Sequence, residues 1–505
     1  MNFLEETKKR WNEAAKRYSE SINNELAAKE RQGWTALIQR NAPREGPLEV
    51  LDIGTGPGFF AIILSHAGHK VTAIDCTPGM LEQAKINFQK EGVEPALRLM
   101  DSHKLDFADN TFDLIVNRNV TWILHEPEAA YREWKRVLKP GGRLLIFDAN
   151  WYMNVYDEET GAAYRRKIRE YYEQYGCLPE RPIMHKIEDY WIRLPLVGVP
   201  RPQWDKAVLM RLGFIRIHLE HHIDKEVSSP SPVQDIYNLM PMFMISAAKG
   251  THQQEQADLI SRYWDGYAPE FAVSCIKGLA SPKAASYTEL LREELPVGKP
   301  LKVLDVGAGA GFMAFLLARE GHDVTGIDFS PIMLEEAEYI KKKTGIKVDF
   351  QLSPADLLPF EEETFDLIVS RNSTWLMQEP EKAFGEWKRV LKKAGTLLYF
   401  DGNWYNYLFY DDEWERFTQI RSQARERRYT TLYGMGHSSS VIMDDIAKEL
   451  PLSKALRPQW DKDNLNALGL LVEHIIDDVS PRLCTEDERF VNAYIPLFMI
   501  KARKI

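Results

Sequence analysis

The chain has 505 residues, 44% of them hydrophobic and 27% charged, the balance of an ordinary globular protein rather than a disordered or fibrous one. The formal net charge of −10 argues against nucleic acid as the main partner, and the short basic runs Lys8-Lys9-Arg10 and Lys341-Lys342-Lys343 read as solvated helix faces. No apolar stretch approaches the ~20 residues that cross a bilayer, Met1 to Arg10 is too polar for a secretory leader, and the 4 cysteines form no close pair, so a cytoplasmic protein with neither membrane span, disulfide framework nor zinc knuckle is expected.

The chain repeats itself. Leu51-Asp52-Ile53-Gly54-Thr55-Gly56-Pro57-Gly58-Phe59 returns as Leu304-Asp305-Val306-Gly307-Ala308-Gly309-Ala310-Gly311-Phe312, 253 positions on. The same shift carries Asp75 onto Asp328, Trp122 onto Trp375, Trp134 onto Trp387 and Asp148 onto Asp401. A register held this long marks a tandem duplication, with each unit large enough to bury its own core. The boundary falls in the short polar segment 249–254, which gives domains 1–250 and 251–505, expected to pack on each other.

Each half opens with an amphipathic helix in which Trp11 and Tyr18, or Trp264 and Phe271, are seven apart and share a face. A second helix follows at 34–40 and 287–294. Strands and helices then alternate in the first half: strand 48–53, helix 59–67, strand 71–75, a helix starting at Pro78, strand 96–100, strand 112–116, helix 126–138 and strand 143–148. Short apolar runs separated by helices predict a parallel sheet covered on both faces. After a short helix at 206–212, the strands 214–223 and 242–248 add an antiparallel edge. Between the fifth strand and that tail lies an insert rich in Tyr, Trp and Arg, 151–204 and 404–460, expected to cap the substrate.

A strand ending in Asp-x-Gly-x-Gly-x-Gly before a helix lets the backbone turn sharply and brings unpaired helix N–H groups close to a ligand. Alone, that pattern and the acid ending the next strand, Asp75 or Asp328, suit an adenine dinucleotide as well as S-adenosylmethionine. The later pieces discriminate: Asp101-Ser102-His103-Lys104-Leu105-Asp106-Phe107, Asn110-Thr111-Phe112-Asp113-Leu114-Ile115-Val116 and Glu133-Trp134-Lys135-Arg136-Val137-Leu138-Lys139-Pro140-Gly141-Gly142. This series resembles class I S-adenosylmethionine-dependent methyltransferases of the small-molecule, ubiquinone/menaquinone-type branch, over 48–148 and 301–401. The resemblance implies two tandem Rossmann-like α/β domains, each with a helical cap. It implies that Gly54, Gly56 and Gly58 lie under the methionine part of the cofactor, with Asp52 near its ammonium. It places Asp75 on the ribose, Met80 on the adenine, Asp101 and the Ser102 amide at the adenine edge, and Asn117 beside the transfer site. The counterparts are Asp305, Gly307, Gly309, Gly311, Asp328, Met333 and Ser370. One departure matters: Pro354 stands where Asp101 predicts an acid, leaving the Ala355 amide and, two residues on, Asp356 as substitutes.

After the fourth strand both halves read Arg-Asn-x-Thr-Trp (Arg118 to Trp122, Arg371 to Trp375), and after the fifth Phe-Asp-x-Asn-Trp-Tyr (Phe147 to Tyr152, Phe400 to Tyr405). Neither is the Pro-Pro-aromatic motif of amino-group enzymes, nor is there a Pro-Cys nucleophile. Asn119, Asp148, Asn150, Asn372, Asp401 and Asn403 are candidate catalytic residues facing the methyl donor, with strand-end capping as the alternative. Trp122, Tyr152, Trp375 and Tyr405 are candidate substrate walls. Arg201-Pro202-Gln203-Trp204-Asp205 returns unchanged at Arg457, where Asp205 reads as a helix N-cap and Arg201 and Arg457 as partners for a substrate carboxylate. The resemblance implies that Trp11, Tyr18, Trp264 and Phe271 form lids over the cofactor, the first three beside the substrate, with core packing as the alternative. His125 becomes Gln378 and is no shared base, whereas His185 and His437 both fall in the inserts. The adjacent His221 and His222 point to opposite faces of a strand, so no metal site is expected. The expected activity is methyl transfer to a small molecule in two homologous sites, by in-line displacement. The alternative is one catalytic half beside a degenerate binding module. Nicotinamide-dependent oxidoreduction fits the later motifs poorly.

Overall fold

The apolar runs of each half become the strands of a seven-stranded sheet in the computed structural model, which describes residues 3–177, 190–228, 233–296, 298–426, 439–491, 493 and 495–505. The chain divides into two compact units, Met1–Glu255 and Gln256–Ile505.

In the first unit the strands are β1 (Glu49–Ile53), β2 (Lys70–Asp75), β3 (Ala96–Leu99), β4 (Phe112–Arg118), β5 (Leu138–Ala149), β6 (Phe214–His221) and β7 (Met242–Lys249). They lie in the order β3-β2-β1-β4-β5-β7-β6. β1 to β5 run parallel, and β7 enters antiparallel between β5 and β6. The second unit repeats this with β8 (Lys302–Val306), β9 (Asp323–Asp328), β10 (Asp349–Leu352), β11 (Phe365–Arg371), β12 (Leu391–Asp401), β13 (Leu470–Ile476) and β14 (Phe498–Lys504), in the order β10-β9-β8-β11-β12-β14-β13.

Alternation along each strand divides the core between the two faces of the sheet. Val50, Leu114, Val116, Leu145 and Phe147 enter one cluster, and Leu51, Ile53, Ile115, Leu144 and Ile146 enter the other. The helix Phe59–His66 is apolar around nearly its whole girth because Phe59 through Leu64 are all buried. Helix ends follow local chemistry. Pro78 opens the helix Pro78–Glu91 and Gly92 closes it in the left-handed region. Ser330 caps the helix Pro331–Thr344 by accepting from the Met333 amide, and Gly345 ends it.

Two boundaries differ from the sequence reading. β5 begins at Leu138 and takes in the Lys-Pro-Gly-Gly segment, because Phe112 already pairs with Leu138 across a bulge before Leu114 pairs with Arg143. The opening helix runs Phe3–Ala27, far beyond its aromatic turn, and its counterpart is His252–Leu279. The inserts contain helices, Glu158–Tyr175 in the first unit and Asp411–Glu426 and Ser439–Glu449 in the second. His185 and His437 lie outside the described residues.

Candidate functional site

At the carboxyl edge of the first sheet, the strand order places β1 between β2 and β4, and the loops leaving these strands open a crevice. It encloses about 780 Å³ of space between its walls, open solvent included. Gly54, Gly56, Asp75, Met80, Asp101, Ser102 and Asn119 line it, with Trp11 and Tyr18 from the opening helix. The sequence reading expected all nine in the site.

The loop after β1 has no room for a side chain at its first glycine. Gly54 has φ 66°, and a Cβ there would lie 2.4 Å from Val120 Cγ2. The same clash recurs at Gly307 against Ser373 Cβ, at 2.5 Å. Asp75 closes the loop from the next strand. Its Oδ2 accepts from the Gly56 amide at 3.0 Å and its Oδ1 from the Thr77 amide at 2.9 Å. In the second unit Asp328 accepts from the Gly309 amide at 2.8 Å and the Ser330 amide at 2.9 Å. Burial raises both carboxyls above their ordinary range, Asp328 to about 6. A vicinal diol donating to these oxygens would favour the ionised form.

Asp101 sits one strand further on. His103 holds its Oδ1 through the backbone amide at 3.0 Å and the ring Nδ1 at 2.7 Å. The hydrogen bond from His103 pulls this carboxyl down to about 2. The His103 ring in turn lies 3.9 Å from that of His125, and both line the crevice. Burial lowers the His125 pKa. On the other side, Arg118 spans from the Glu25 carboxylate (2.8 Å) to the face of Phe59 (4.5 Å). His103 and Arg118 were not assigned roles from sequence. The Asp-x-His spacing, and the return of Arg118 as Arg371, were the available signals.

The opening helix is pinned over the crevice. Asn12 Oδ1 accepts from the Gly79 amide at 2.8 Å, at the start of the helix after β2. Asp265, the counterpart of Asn12, accepts from Ser330 Oγ at 2.6 Å. Trp11 and Tyr18 meet edge to face at 5.6 Å, and Trp264 and Phe271 at 5.4 Å.

Several expected residues have other work. Asp52 Oδ2 accepts from Thr55 Oγ1 (2.6 Å) and the Ala61 amide (3.1 Å), and Asp305 Oδ2 from the Ala314 amide (3.0 Å). Both are buried acids that fix the loop to the helix behind it, and burial raises each to about 7. Gly58 and Gly311 take left-handed caps at the start of those helices. Asn117 is fully buried, with neither amide atom partnered among the described residues, while Ser370 pairs with Ser373 Oγ at 2.5 Å. Met333 is buried in the helix after β9.

The larger corrections concern the strand-end polar groups. Asp148 is not turned toward a methyl donor. It is wholly buried, accepting from Thr121 Oγ1, the Trp122 amide (2.9 Å), the Ala149 amide (2.9 Å), Trp151 Nε1 (2.9 Å) and Arg201 Nη1 (3.1 Å). Arg201 does not await a substrate carboxylate, because its guanidinium is spent on Asp148, Thr121 and both oxygens of Asp205. Asp205 is therefore an ion-pair partner inside the helix Gln203–Arg211 rather than its N-cap. Asn150 clamps the Arg201 backbone through its amide N–H (2.8 Å) and oxygen (3.1 Å). Asp401, Arg457, Asp461 and Asn403 repeat every part of this latch. Trp122 and Tyr152 pack in an aromatic cluster with Tyr190, Leu194 and Val197, against which Trp11 also packs. Trp375 and Tyr405 meet at 4.9 Å in the matching cluster. Nor does Asp356 replace the missing acid of the second unit, because Lys382 holds it at 2.9 Å. Ala355 occupies the place of Ser102, its carbonyl accepting from Trp387 Nε1 at 3.0 Å as Ser102 does from Trp134.

The residues lining the crevice fit an adenosyl sulfonium. The crevice offers a bare glycine loop, a carboxylate placed for a diol, and two buried polar atoms without partners among the described residues, Trp11 Nε1 and Asn119 Oδ1. Trp264 Nε1 and Asn372 Oδ1 are left in the same state in the second unit. Asn119 and Asn372 both take left-handed backbone, with φ 58° and 55°.

Comparison with known proteins agrees. A methyltransferase domain model matches residues 51–146 and again 304–399. The ubiquinone/menaquinone biosynthesis C-methyltransferase of Desulfotalea psychrophila is 33% identical over 129 residues, 25% of this chain and 52% of that one. The phosphatidylethanolamine N-methyltransferase of Cereibacter sphaeroides is 38% identical over 99 residues, 19% of this chain and 48% of its own. The chain thus spans about half the length of these curated relatives. A solved S-adenosylmethionine-dependent methyltransferase from Aquifex aeolicus aligns over 46% of this chain and 98% of its own, with 21% identity and a TM-score of 0.31. The chain thus carries a segment matching the methyltransferase domain in each of its two units.

Proposed function

We propose that this protein transfers a methyl group from S-adenosylmethionine to a small-molecule acceptor, and that the crevice of the first unit and the matching place in the second, a second crevice on this reading, both do so. The observation that carries this reading is the duplicated join of glycine loop and carboxylate, Gly56 with Asp75 and Gly309 with Asp328. When bound, the sulfonium supplies an already activated methyl group, so the protein is left with alignment and exclusion of water. Asp75 and Asp328 hold the sugar hydroxyls. Gly54 and Gly307 admit the ligand backbone, and the opening helix covers it with Trp11 and Tyr18, or Trp264 and Phe271. Asn119 and Asn372 supply an uncharged acceptor oxygen to whatever N–H or O–H group lies against the crevice wall. The aromatic clusters around Trp122 and Trp375 supply apolar walls suited to a flat or greasy acceptor. One relative's name specifies carbon and the other's nitrogen, so likeness alone does not single out the acceptor atom.

A second reading has support from the second unit. Pro354 removes the adenine-facing acid, and the Asp356–Lys382 pair keeps its neighbour from replacing it. On that reading the first half is catalytic and the second is a binding module. Titration of the full chain with S-adenosylhomocysteine separates the two, using Asp75→Ala and Asp328→Ala variants to silence one crevice at a time. Two crevices that bind and turn over support the first reading. Turnover that survives Asp328→Ala untouched and vanishes in Asp75→Ala supports the second.

A further inference from the structure

We infer that the methyl acceptor carries a neutral hydroxyl on a flat apolar frame. Each unit seats that hydroxyl between one donor and one acceptor, Trp11 Nε1 and Asn119 Oδ1 in the first, Trp264 Nε1 and Asn372 Oδ1 in the second. This names the acceptor class for the methyl-transfer reading proposed above, and it rests on that reading.

The four atoms form two matched pairs, and all four are buried without a partner among the described residues. A buried polar atom left unpaired costs about 1–3 kcal/mol, so a duplicated pair marks a place where bonding is completed from outside the protein. Trp11 comes from the opening helix and Asn119 follows β4, and both line the first crevice. A second tryptophan ties the two together. Trp122 Nε1 donates to the Asn119 carbonyl at 3.0 Å, and Trp11 packs against the cluster that Trp122 enters. Trp375 repeats the arrangement, donating to the Asn372 carbonyl at 3.2 Å with its ring 6.4 Å from that of Trp264. The Asn119 and Asn372 amides donate to the Phe147 and Phe400 carbonyls, at 2.8 Å in both units. With the backbone of each asparagine spent in this way, its side chain is the part left to meet a ligand.

An indole N–H only donates, and an amide oxygen only accepts. A carboxylate satisfies Trp11 and is repelled by Asn119 Oδ1. An ammonium does the reverse. A hydroxyl accepts and donates through one atom, and satisfies both. The charges lining the first crevice already have answers inside the protein: the Gly56 and Thr77 amides for Asp75, His103 for Asp101, and Glu25 for Arg118. The aromatic clusters around Trp122 and Trp375 give the carrier of the hydroxyl an apolar setting. Both units present the same pair, so both read the same feature of the acceptor.

The test is ligand-observed NMR titration of the full chain, saturated with S-adenosylhomocysteine, using 1-naphthol, 1-methoxynaphthalene, 1-naphthoate and 1-naphthylmethylammonium as probes. In wild type, naphthol binds about 10-fold more tightly than the ether, which accepts but cannot donate, and more tightly than either ion. Asn119→Gly with Asn372→Gly deletes both oxygens and keeps the left-handed backbone, and the lead of naphthol over the ether falls to within about 2-fold. Trp11→Phe with Trp264→Phe keeps the rings and removes both N–H groups. There naphthol and the ether weaken together, by about 2- to 10-fold, and the lead of naphthol persists. In both double variants S-adenosylhomocysteine binds within about 3-fold of wild type, which separates acceptor contacts from donor contacts. If a variant fails to fold, the wild-type ranking decides. Naphthol that does not bind, or an ether or ion that binds as tightly, overturns the inference and leaves the methyl-donor reading standing. Loss of S-adenosylhomocysteine binding in the folded asparagine variant assigns those oxygens to the donor and also overturns the inference. Absence of S-adenosylhomocysteine binding in wild type overturns both.

Discussion

Asp328 shows how burial becomes a property that can be measured. Its carboxyl is raised to about 6 because desolvation outweighs the two amides that bond it. On the proposed reading sugar hydroxyls favour the ionised form, so ligand affinity at the second unit is expected to be full above pH 7 and to fall as pH drops through 6. At pH 5 about one carboxyl in eleven is ionised, and S-adenosylhomocysteine should bind roughly 10-fold more weakly in Asp75→Ala protein. Titration near pH 6 in buffers of different ionisation enthalpy should report net proton release, and no release there would remove Asp328 from the contact. Arg201 makes a different kind of prediction. Its guanidinium neutralises two buried acids, so Arg201→Met should cost the first unit about 3–5 kcal/mol of unfolding free energy. A variant that unfolds like wild type and loses only turnover would return Arg201 to the substrate. The sequence showed the right chemistry for this residue, a carboxylate partner, but Asp148 lies 53 positions away and only the fold reveals that the partner is internal. The place of Asp75 in the crevice was legible for the opposite reason, because it depends on the end of one strand and the loop beside it.

At the scale of elements, the opening helix is the piece whose position decides access. It crosses the start of the helix after β2, held by Asn12 on the Gly79 amide and by the Asn87 side chain on Ser19. Thr7 Oγ meets the Tyr190 hydroxyl at the edge of the insert. A lid so placed should tighten when the crevice fills. Amide exchange across Phe3–Ala27 is expected to slow on addition of S-adenosylhomocysteine, and unchanged exchange would mean the aromatics serve only as core. The strands were legible because buried parallel strands are short unbroken apolar runs, as at Leu114 to Val116. The start of β5 was not, because its first pairing crosses a bulge that composition does not announce. The insert was legible only as an aromatic-rich interruption, since its helices answer to partners distant in sequence, as Trp11 does to Trp191 at 6.3 Å.

For the whole molecule, duplication acts as an internal control. Features held in both units, such as the Gly56–Asp75 join, the Arg201 latch and the left-handed Asn119, belong to the shared architecture. Features held in one, such as the Asp101–His103–His125 wall, mark where the halves have diverged. The described helices include none long and apolar enough to cross a membrane. The central claim is that both glycine-lined crevices hold the methyl donor. Native mass spectrometry of the full chain with saturating S-adenosylhomocysteine addresses it most directly. Two molecules per chain are predicted, falling to one in Asp75→Ala and to one in Asp328→Ala. A wild-type chain that carries none or only one, or carries two that both variants leave in place, would contradict the account.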